Sequence, residues 1–102
     1  MRLSKKQKEQ LKKDIISCLS TDKEIKKIVI FGSFIDSDNP GDIDIAVFQN
    51  SNEGYLPLAM RYRKKTREIS HKIPLDIFPL KTDRYSDPFL SEINNGEVIY
   101  ER

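Results

Sequence analysis

The sequence has a single cysteine, no tryptophan and a net charge of only +2. One cysteine excludes an internal disulfide. No stretch approaches the roughly 18 apolar residues that a membrane span needs, and Met1–Lys6 lacks the apolar core of a signal peptide. The small net charge gives no overall basic signal for nucleic acid. We therefore expect a cytoplasmic protein with no membrane anchor, whose main partner is not a nucleic acid.

The composition is that of a small, highly charged globular protein. The chain has 102 residues, of which 37% are hydrophobic and 33% are charged. This length is enough for one hydrophobic core, with little surplus surface for a second binding module. We therefore predict a single domain over residues 1–102.

The spacing of apolar residues predicts a chain of helices and strands. Ser4 is a suitable N-cap for a helix with apolar positions at Leu11, Ile15 and Leu19. The predicted elements are helix Lys5–Leu19, strands Ile25–Phe31 and Asp42–Phe48, a helix from Leu56 or Leu58 to His71, strand Leu75–Phe78, helix Phe89–Asn94 and strand Glu97–Tyr100. They predict an α/β (α+β) fold, a small mixed sheet of about four strands with helices packed on it.

Prolines and a glycine mark several of the predicted ends. Pro74 and Pro79 bracket the strand Leu75–Phe78, where they would limit pairing in the ladder. Gly96 suits the C-terminal end of the helix that precedes it. The last strand is short and is expected at an edge of the sheet.

The most informative segment is an apolar strand that ends in Gly32 and Ser33, with Asp42 and Asp44 at the start of the next strand. Glycine lets a backbone approach a ligand closely, and serine offers a hydroxyl and an amide. The two carboxylates share one face of their strand, with Cα atoms about 6.6 Å apart. Such carboxylates can hold a pair of divalent cations for phosphoryl transfer. A third acid is then expected on a neighbouring strand, and Asp76 supplies it.

The alternative is that these three acids are solvated residues at strand ends. Aspartate is depleted in strands, however, and three neighbouring negative charges repel one another unless a cation neutralises them. The combination with the Gly-Ser turn therefore favours a metal and phosphate site.

On these residues, together with the closing segment Glu92–Tyr100, the chain resembles the small nucleotidyltransferases of the DNA polymerase β superfamily. Within that superfamily it is similar to the bacterial minimal nucleotidyltransferase (MNT) proteins. The resemblance spans Ile25–Tyr100. It implies the polymerase β-like nucleotidyltransferase fold.

The resemblance also implies a role for each site residue. Gly32 and Ser33 would bind the triphosphate of the nucleotide. Asp42 and Asp44 would bind Mg²⁺ or Mn²⁺, and Asp76 would complete the metal site and activate the attacking hydroxyl. The implied reaction is the transfer of a nucleoside monophosphate, AMP from ATP, to an acceptor hydroxyl.

MNT proteins pair with a HEPN-domain protein, often as the antitoxin that adenylylates a HEPN toxin, and the resemblance implies such a partner here. The alternative is a catalytically degenerate MNT protein that neutralises its partner by contact alone. Asp36 supports this alternative because it lies where relatives often carry a cation. The short spacer Asp36–Gly41 supports it as well. The sequence leaves open the acceptor, the preferred nucleotide and whether the protein forms a homo-oligomer.

Four other features have a structural and a functional interpretation. The basic run Arg61–Arg67 is expected to be a solvated helix face, with contact to a partner as the alternative. Tyr62 falls on an apolar stripe and is expected in the core. His71 suits the C-terminal end of a helix rather than catalysis. Cys18 lies on an apolar stripe and is expected to be a core residue rather than a nucleophile.

Overall fold

The computed structural model describes residues 2–82, 93 and 95–102. Within them the chain forms α1 (Lys5–Leu19), β1 (Ile25–Phe31), α2 (Ser33–Asp36), β2 (Ile43–Gln49), α3 (Tyr55–Lys65), α4 (Arg67–Ser70), β3 (Leu75–Lys81) and β4 (Glu97–Glu101). The predicted helix Phe89–Asn94 lies outside the described residues, apart from Ile93.

The four strands form one mixed sheet in the order β3-β2-β1-β4. Strand β1 pairs antiparallel with both β2 and β4, whereas β2 pairs in parallel with β3. The predictions of a mixed four-stranded sheet and of an edge position for the last strand are confirmed. No helix in the described part of the chain is long and apolar enough to cross a membrane.

Apolar side chains cover both faces of the sheet. The larger cluster joins residues of α1 and α3 to Ile45 and its neighbours of the same parity in β2. A smaller cluster on the opposite face contains Ala46 of β2 and Phe31 of β1. Because side chains alternate along a strand, Asp44 lies on the same face as Ala46. The carboxylate of Asp44, the one acid within β2, is therefore on the face of the smaller cluster.

The first helix begins as predicted, with a reciprocal cap. The backbone N–H of Gln7 donates to Ser4 Oγ at 3.1 Å, and the backbone N–H of Ser4 donates to Gln7 Oε1 at 2.8 Å. Such a cap satisfies two backbone donors that the helix leaves unpaired, and caps of this kind stabilise by about 1 kcal/mol. The helix then buries Leu11, Ile15 and Leu19 against the sheet.

The predicted helix from Leu56 or Leu58 to His71 is wrong in its extent, because two helices replace it. Helix α3 ends at Lys65 and α4 begins at Arg67, with Thr66 between them at φ −105° and ψ 14°. The hydroxyl of Thr66 is buried and donates to the Tyr62 carbonyl at 2.9 Å. A threonine hydroxyl that bonds a carbonyl of the preceding turn competes with helical pairing and bends the chain.

The strand predicted to end at Phe78 in fact continues to Lys81. Pro79 lies within the ladder opposite Val47, so the proline does not end the pairing. Among the described residues β3 is an edge strand that pairs with β2 alone, and a residue without an N–H is tolerated in an edge strand.

Gly96 does follow a helical residue, and its N–H donates to the carbonyl of Ile93 at 2.9 Å. Its φ is not positive, so left-handed backbone geometry does not explain the glycine. A Cβ at this position would instead collide with the carbonyl oxygen of Ile30 and lie 3.0 Å from Phe31 Cβ. Glycine is needed here because the chain passes closely over β1 as it enters β4.

Candidate active site

Three carboxylates converge at the end of the sheet where β2 and β3 begin. Asp42 immediately precedes β2, Asp44 is its second residue, and Asp76 is directly opposite Asp44 in the parallel ladder. One carboxylate oxygen of each residue lies within 4.8 Å of those of the other two. The prediction that a neighbouring strand supplies the third acid is therefore confirmed.

The electrostatics of this trio are unfavourable without a cation. Partial burial raises the pKa of Asp42. A hydrogen bond with Asp76 and the negative charge of Asp76 raise that pKa further. Asp42 and Asp44 are half-buried, whereas Asp76 is exposed. The donor set is made only of oxygen atoms, which are the ligands that Mg²⁺ and Mn²⁺ prefer. These residues fit a divalent cation, and the exposed side of the trio leaves room for a substrate.

The Gly-Ser turn lies directly against this trio. Strand β1 ends at Phe31, which is opposite Asp44 in the antiparallel ladder, and Gly32 follows with φ 81° and ψ −157°. A Cβ on Gly32 would be only 2.5 Å from Asp44 Oδ2. Glycine is therefore required twice, by its backbone angles and by the close approach of the carboxylate. Ser33, which is exposed, begins α2 next to this contact.

The structure thus brings all five predicted site residues to one end of the sheet. Their individual roles in binding metal and nucleotide stay predictions. Asp36 is the exposed last residue of α2, which is a single turn. The effect of its negative charge on a nucleotide also stays a prediction.

Lys8 of α1 contacts the short helix of the site and was not identified from the sequence. Its Nζ donates to the carbonyls of Phe34 at 2.7 Å and Ser37 at 2.5 Å, and lies 5.2 Å from the centre of the Phe34 ring. A cation at these carbonyls satisfies the C-terminal end of α2. The sequence does hold a signal, because Lys8 is three residues before Leu11 on the buried stripe of α1.

The basic run divides into paired and unpaired cations. Arg61 contacts Glu24 at 2.5 Å, Glu53 at 2.6 Å and Asp22 at 3.5 Å, and Lys65 contacts Asp22 at 2.7 Å. These two side chains hold α3 to the segment between α1 and β1. The expectation of a purely solvated face is therefore wrong for part of the run, because the segment before β1 supplies acids.

The remaining predictions for single residues agree with the structure. Tyr62 is fully buried in the larger cluster, where burial raises its pKa to about 12. His71 caps the C-terminal end of α4. Cys18 is half-buried against the larger cluster, and burial raises the pKa of its thiol, which disfavours the reactive thiolate.

A mixed sheet with α1 and α3 packed on one face, and three acids beside a Gly-Ser turn, defines an α+β fold with a candidate phosphoryl-transfer site. Residues 13–102 match the family of polymerase β nucleotidyltransferases, and the chain belongs to this family. It therefore contains a nucleotidyltransferase-like domain.

Among solved structures, one similar chain is a protein of Sulfolobus solfataricus that carries the provisional name of nucleotidyltransferase. The two chains are 16% identical, with a TM-score of 0.55, and the match covers 93% of this chain and 80% of the other. At this identity the likeness shows the shared fold. No curated protein matches the sequence significantly.

Proposed function

We propose that this protein is a metal-dependent nucleotidyltransferase that transfers AMP from ATP to a hydroxyl of a HEPN-type partner protein. The observation that carries the proposal is the convergence of Asp42, Asp44 and Asp76 within 4.8 Å, beside a glycine that leaves no room for a Cβ. Membership of the polymerase β nucleotidyltransferase family supports the reaction class. The acceptor and the nucleotide follow from the resemblance to MNT proteins.

The five residues divide the chemistry between them. Asp42, Asp44 and Asp76 would hold Mg²⁺, which when bound offsets the negative charge that develops around the α-phosphate. The backbone at Gly32 and the hydroxyl and amide of Ser33 bind the β- and γ-phosphates. Asp76, the exposed acid, takes the proton of the acceptor hydroxyl. The hydroxyl oxygen then bonds to the α-phosphorus, and pyrophosphate leaves.

A partner protein is part of the proposal because the fold has little surface left for an acceptor. The helices of the described chain pack against the sheet, and the described residues include no second unit that could enclose a substrate. A partner that presents its own hydroxyl to Asp76 would complete the site. As an antitoxin, the protein would inactivate its HEPN partner by adenylylation in the cytoplasm.

A second candidate function is a binding module that neutralises the partner without catalysis. Asp36 favours it, since this exposed acid is three residues beyond Ser33 and opposes the binding of a triphosphate nearby. The two candidates differ in whether ATP binds productively, so the first experiment concerns the nucleotide.

That experiment measures the thermal stability of the protein with millimolar ATP and Mg²⁺, or with ATP and EDTA. A ligand at a hundredfold excess over its Kd stabilises the folded state by about 2.7 kcal/mol. We expect this gain with Mg²⁺ and its loss with EDTA or with Asp44→Asn. Glu101→Gln, the same chemical change on an exposed residue of β4, should keep the gain. No shift in the wild-type protein would contradict the proposal.

A further inference from the structure

An open groove of about 420 Å³ lies beside the helical face of the molecule, where α3, α4 and the start of β3 meet. Three of its lining residues are cations, Arg63, Lys64 and Arg67, and two are apolar, Met60 and Leu75. Nothing in the proposed reaction uses these side chains. Thr66, the residue between α3 and α4, also lines the groove.

The three cations of this groove are available to a ligand. Within residues 2–82, 93 and 95–102 none of them takes part in an ion pair, and all three are exposed. Arg61 and Lys65, on the same helix, are held in ion pairs with the segment before β1. The positive charge that α3 leaves unpaired is therefore concentrated on the side of the groove.

The same surface also exposes large apolar side chains. Three of the four large hydrophobic residues exposed in the described chain are on α3: Tyr55, Leu56 and Met60, each more than half exposed. Leu56 and Met60 are four residues apart, so they share a face that continues to Arg63 and Lys64. Exposed apolar and arginine side chains together are typical of protein interfaces. Phosphate groups would pair with the cations alone, whereas a protein segment can also cover Leu56 and Met60, so we favour a protein.

The groove adjoins the candidate active site through the edge strand. Leu75, which lines the groove, is the residue before Asp76 and is opposite Ile43 in the ladder. The two sites are on opposite faces of the sheet at the same end of β3. In the described part of the chain β3 is an edge strand, so a partner that reaches around this edge can contact both sites.

We infer that the groove docks an acidic segment of the acceptor protein and so brings the hydroxyl of the acceptor to Asp76. Apolar residues of the same segment would pack against Leu56 and Met60. The inference rests on the proposed function for the identity of the acceptor. The docking surface itself is defined by the charge of the groove and by the exposed face of α3. Acidic residues on the partner would pair with Arg63, Lys64 and Arg67.

The test uses a fluorescent 15-residue peptide with leucine at every fourth position and glutamate between, and the same peptide with lysine for glutamate. We expect the full chain to bind only the acidic peptide. The triple variant Arg63→Glu, Lys64→Glu, Arg67→Glu should weaken binding by about tenfold or more, since each exposed pair contributes up to about 1 kcal/mol. The control is a triple variant with the same change of charge on α1, at Lys5, Lys6 and Lys13, and it should change binding by less than about twofold.

Three outcomes would overturn the inference. One is no binding of the acidic peptide, and another is equal weakening by both triple variants. The third is tighter binding of a 15-nucleotide oligothymidylate than of the peptide, with loss of that binding in the groove variant. The surface would then bind nucleic acid. Met60→Ser separates these cases further, since it should weaken binding of the peptide and leave binding of the oligonucleotide unchanged.

The same variants distinguish a failure of the docking surface from a failure of the proposed function. The stabilisation by ATP and Mg²⁺ should be equal in wild-type protein and in the groove variant, which also shows that the variant is folded. If that stabilisation is absent while the peptide binds as expected, the proposed function fails and the docking surface stands. If it is present while the groove variant binds the peptide like wild type, only the docking surface fails.

Discussion

The contact between Gly32 and Asp44 gives the sharpest test of the site geometry, through Gly32→Ala. At φ 81° and ψ −157° an alanine is strained, which costs about 1–3 kcal/mol. Its Cβ would also lie 2.5 Å from Asp44 Oδ2, and a side chain displaced from its rotamer costs about 0.5–1.5 kcal/mol. We expect Gly32→Ala to lower the free energy of unfolding by about 1.5–4.5 kcal/mol in total.

Urea denaturation of four variants resolves the two parts of this cost. In an Asp44→Ala background the contact is gone, so Gly32→Ala should cost only the backbone part, about 1–3 kcal/mol. The matched control is Gly41→Ala, because a Cβ at that position has no neighbour within 4 Å and the φ there is not positive. It should change stability by less than about 1 kcal/mol, in the stabilising direction. If Gly32→Ala costs no more than Gly41→Ala, the reasoning about this turn is refuted.

Three further predictions concern the residues around the site. Lys8→Met should lower the free energy of unfolding by about 1.5–3 kcal/mol in urea denaturation, because it removes a charged donor to α2. The control is Lys6→Met, at an exposed position of the same helix, which should change the free energy of unfolding by less than about 0.5 kcal/mol. In EDTA, the raised pKa of Asp42 stabilises the folded protein fully below the ordinary pKa of 3.8, and this contribution is lost as the pH rises through the raised pKa. Asp76→Asn should lower the pKa of Asp42 in an NMR titration. An unchanged pKa would contradict the pairing of Asp42 with Asp76. Asp36→Arg should tighten ATP binding in calorimetry, less so at high salt, and equal affinities would mean that Asp36 does not face the phosphates.

The strands and the acid trio could be predicted because they depend on local rules. Alternation along β2 places Ile45 on one face and Asp44 on the other, and this period is visible in the sequence. The third acid followed from chemistry, since two carboxylates beside a phosphate-binding turn need a further ligand on a neighbouring strand. The expected position of Asp76 then holds because β3 pairs directly with β2.

The features that could not be predicted depend on contacts between distant segments. Lys8 reaches carbonyls 26 and 29 residues away. The break at Thr66 falls within an apolar stripe that continues past it, and the hydroxyl of Thr66 donates to the Tyr62 carbonyl there. The ion pairs of Arg61 depend on how α3 packs beside the segment before β1. The sequence therefore showed the basic run, but not that Arg61 and Lys65 form ion pairs while Arg63, Lys64 and Arg67 line a groove.

The transfer of label from α-³²P-ATP to the proposed HEPN-type partner is the decisive measurement for the proposed reaction. With Mg²⁺ and wild-type protein, we expect covalently labelled partner and released pyrophosphate. Labelling should be lost with EDTA, with Asp44→Asn and with Asp76→Asn, and kept with Glu101→Gln. Transfer at the wild-type rate by both aspartate variants would contradict the three-carboxylate site. A stable complex with the partner that is never labelled would show a binding module instead of an enzyme.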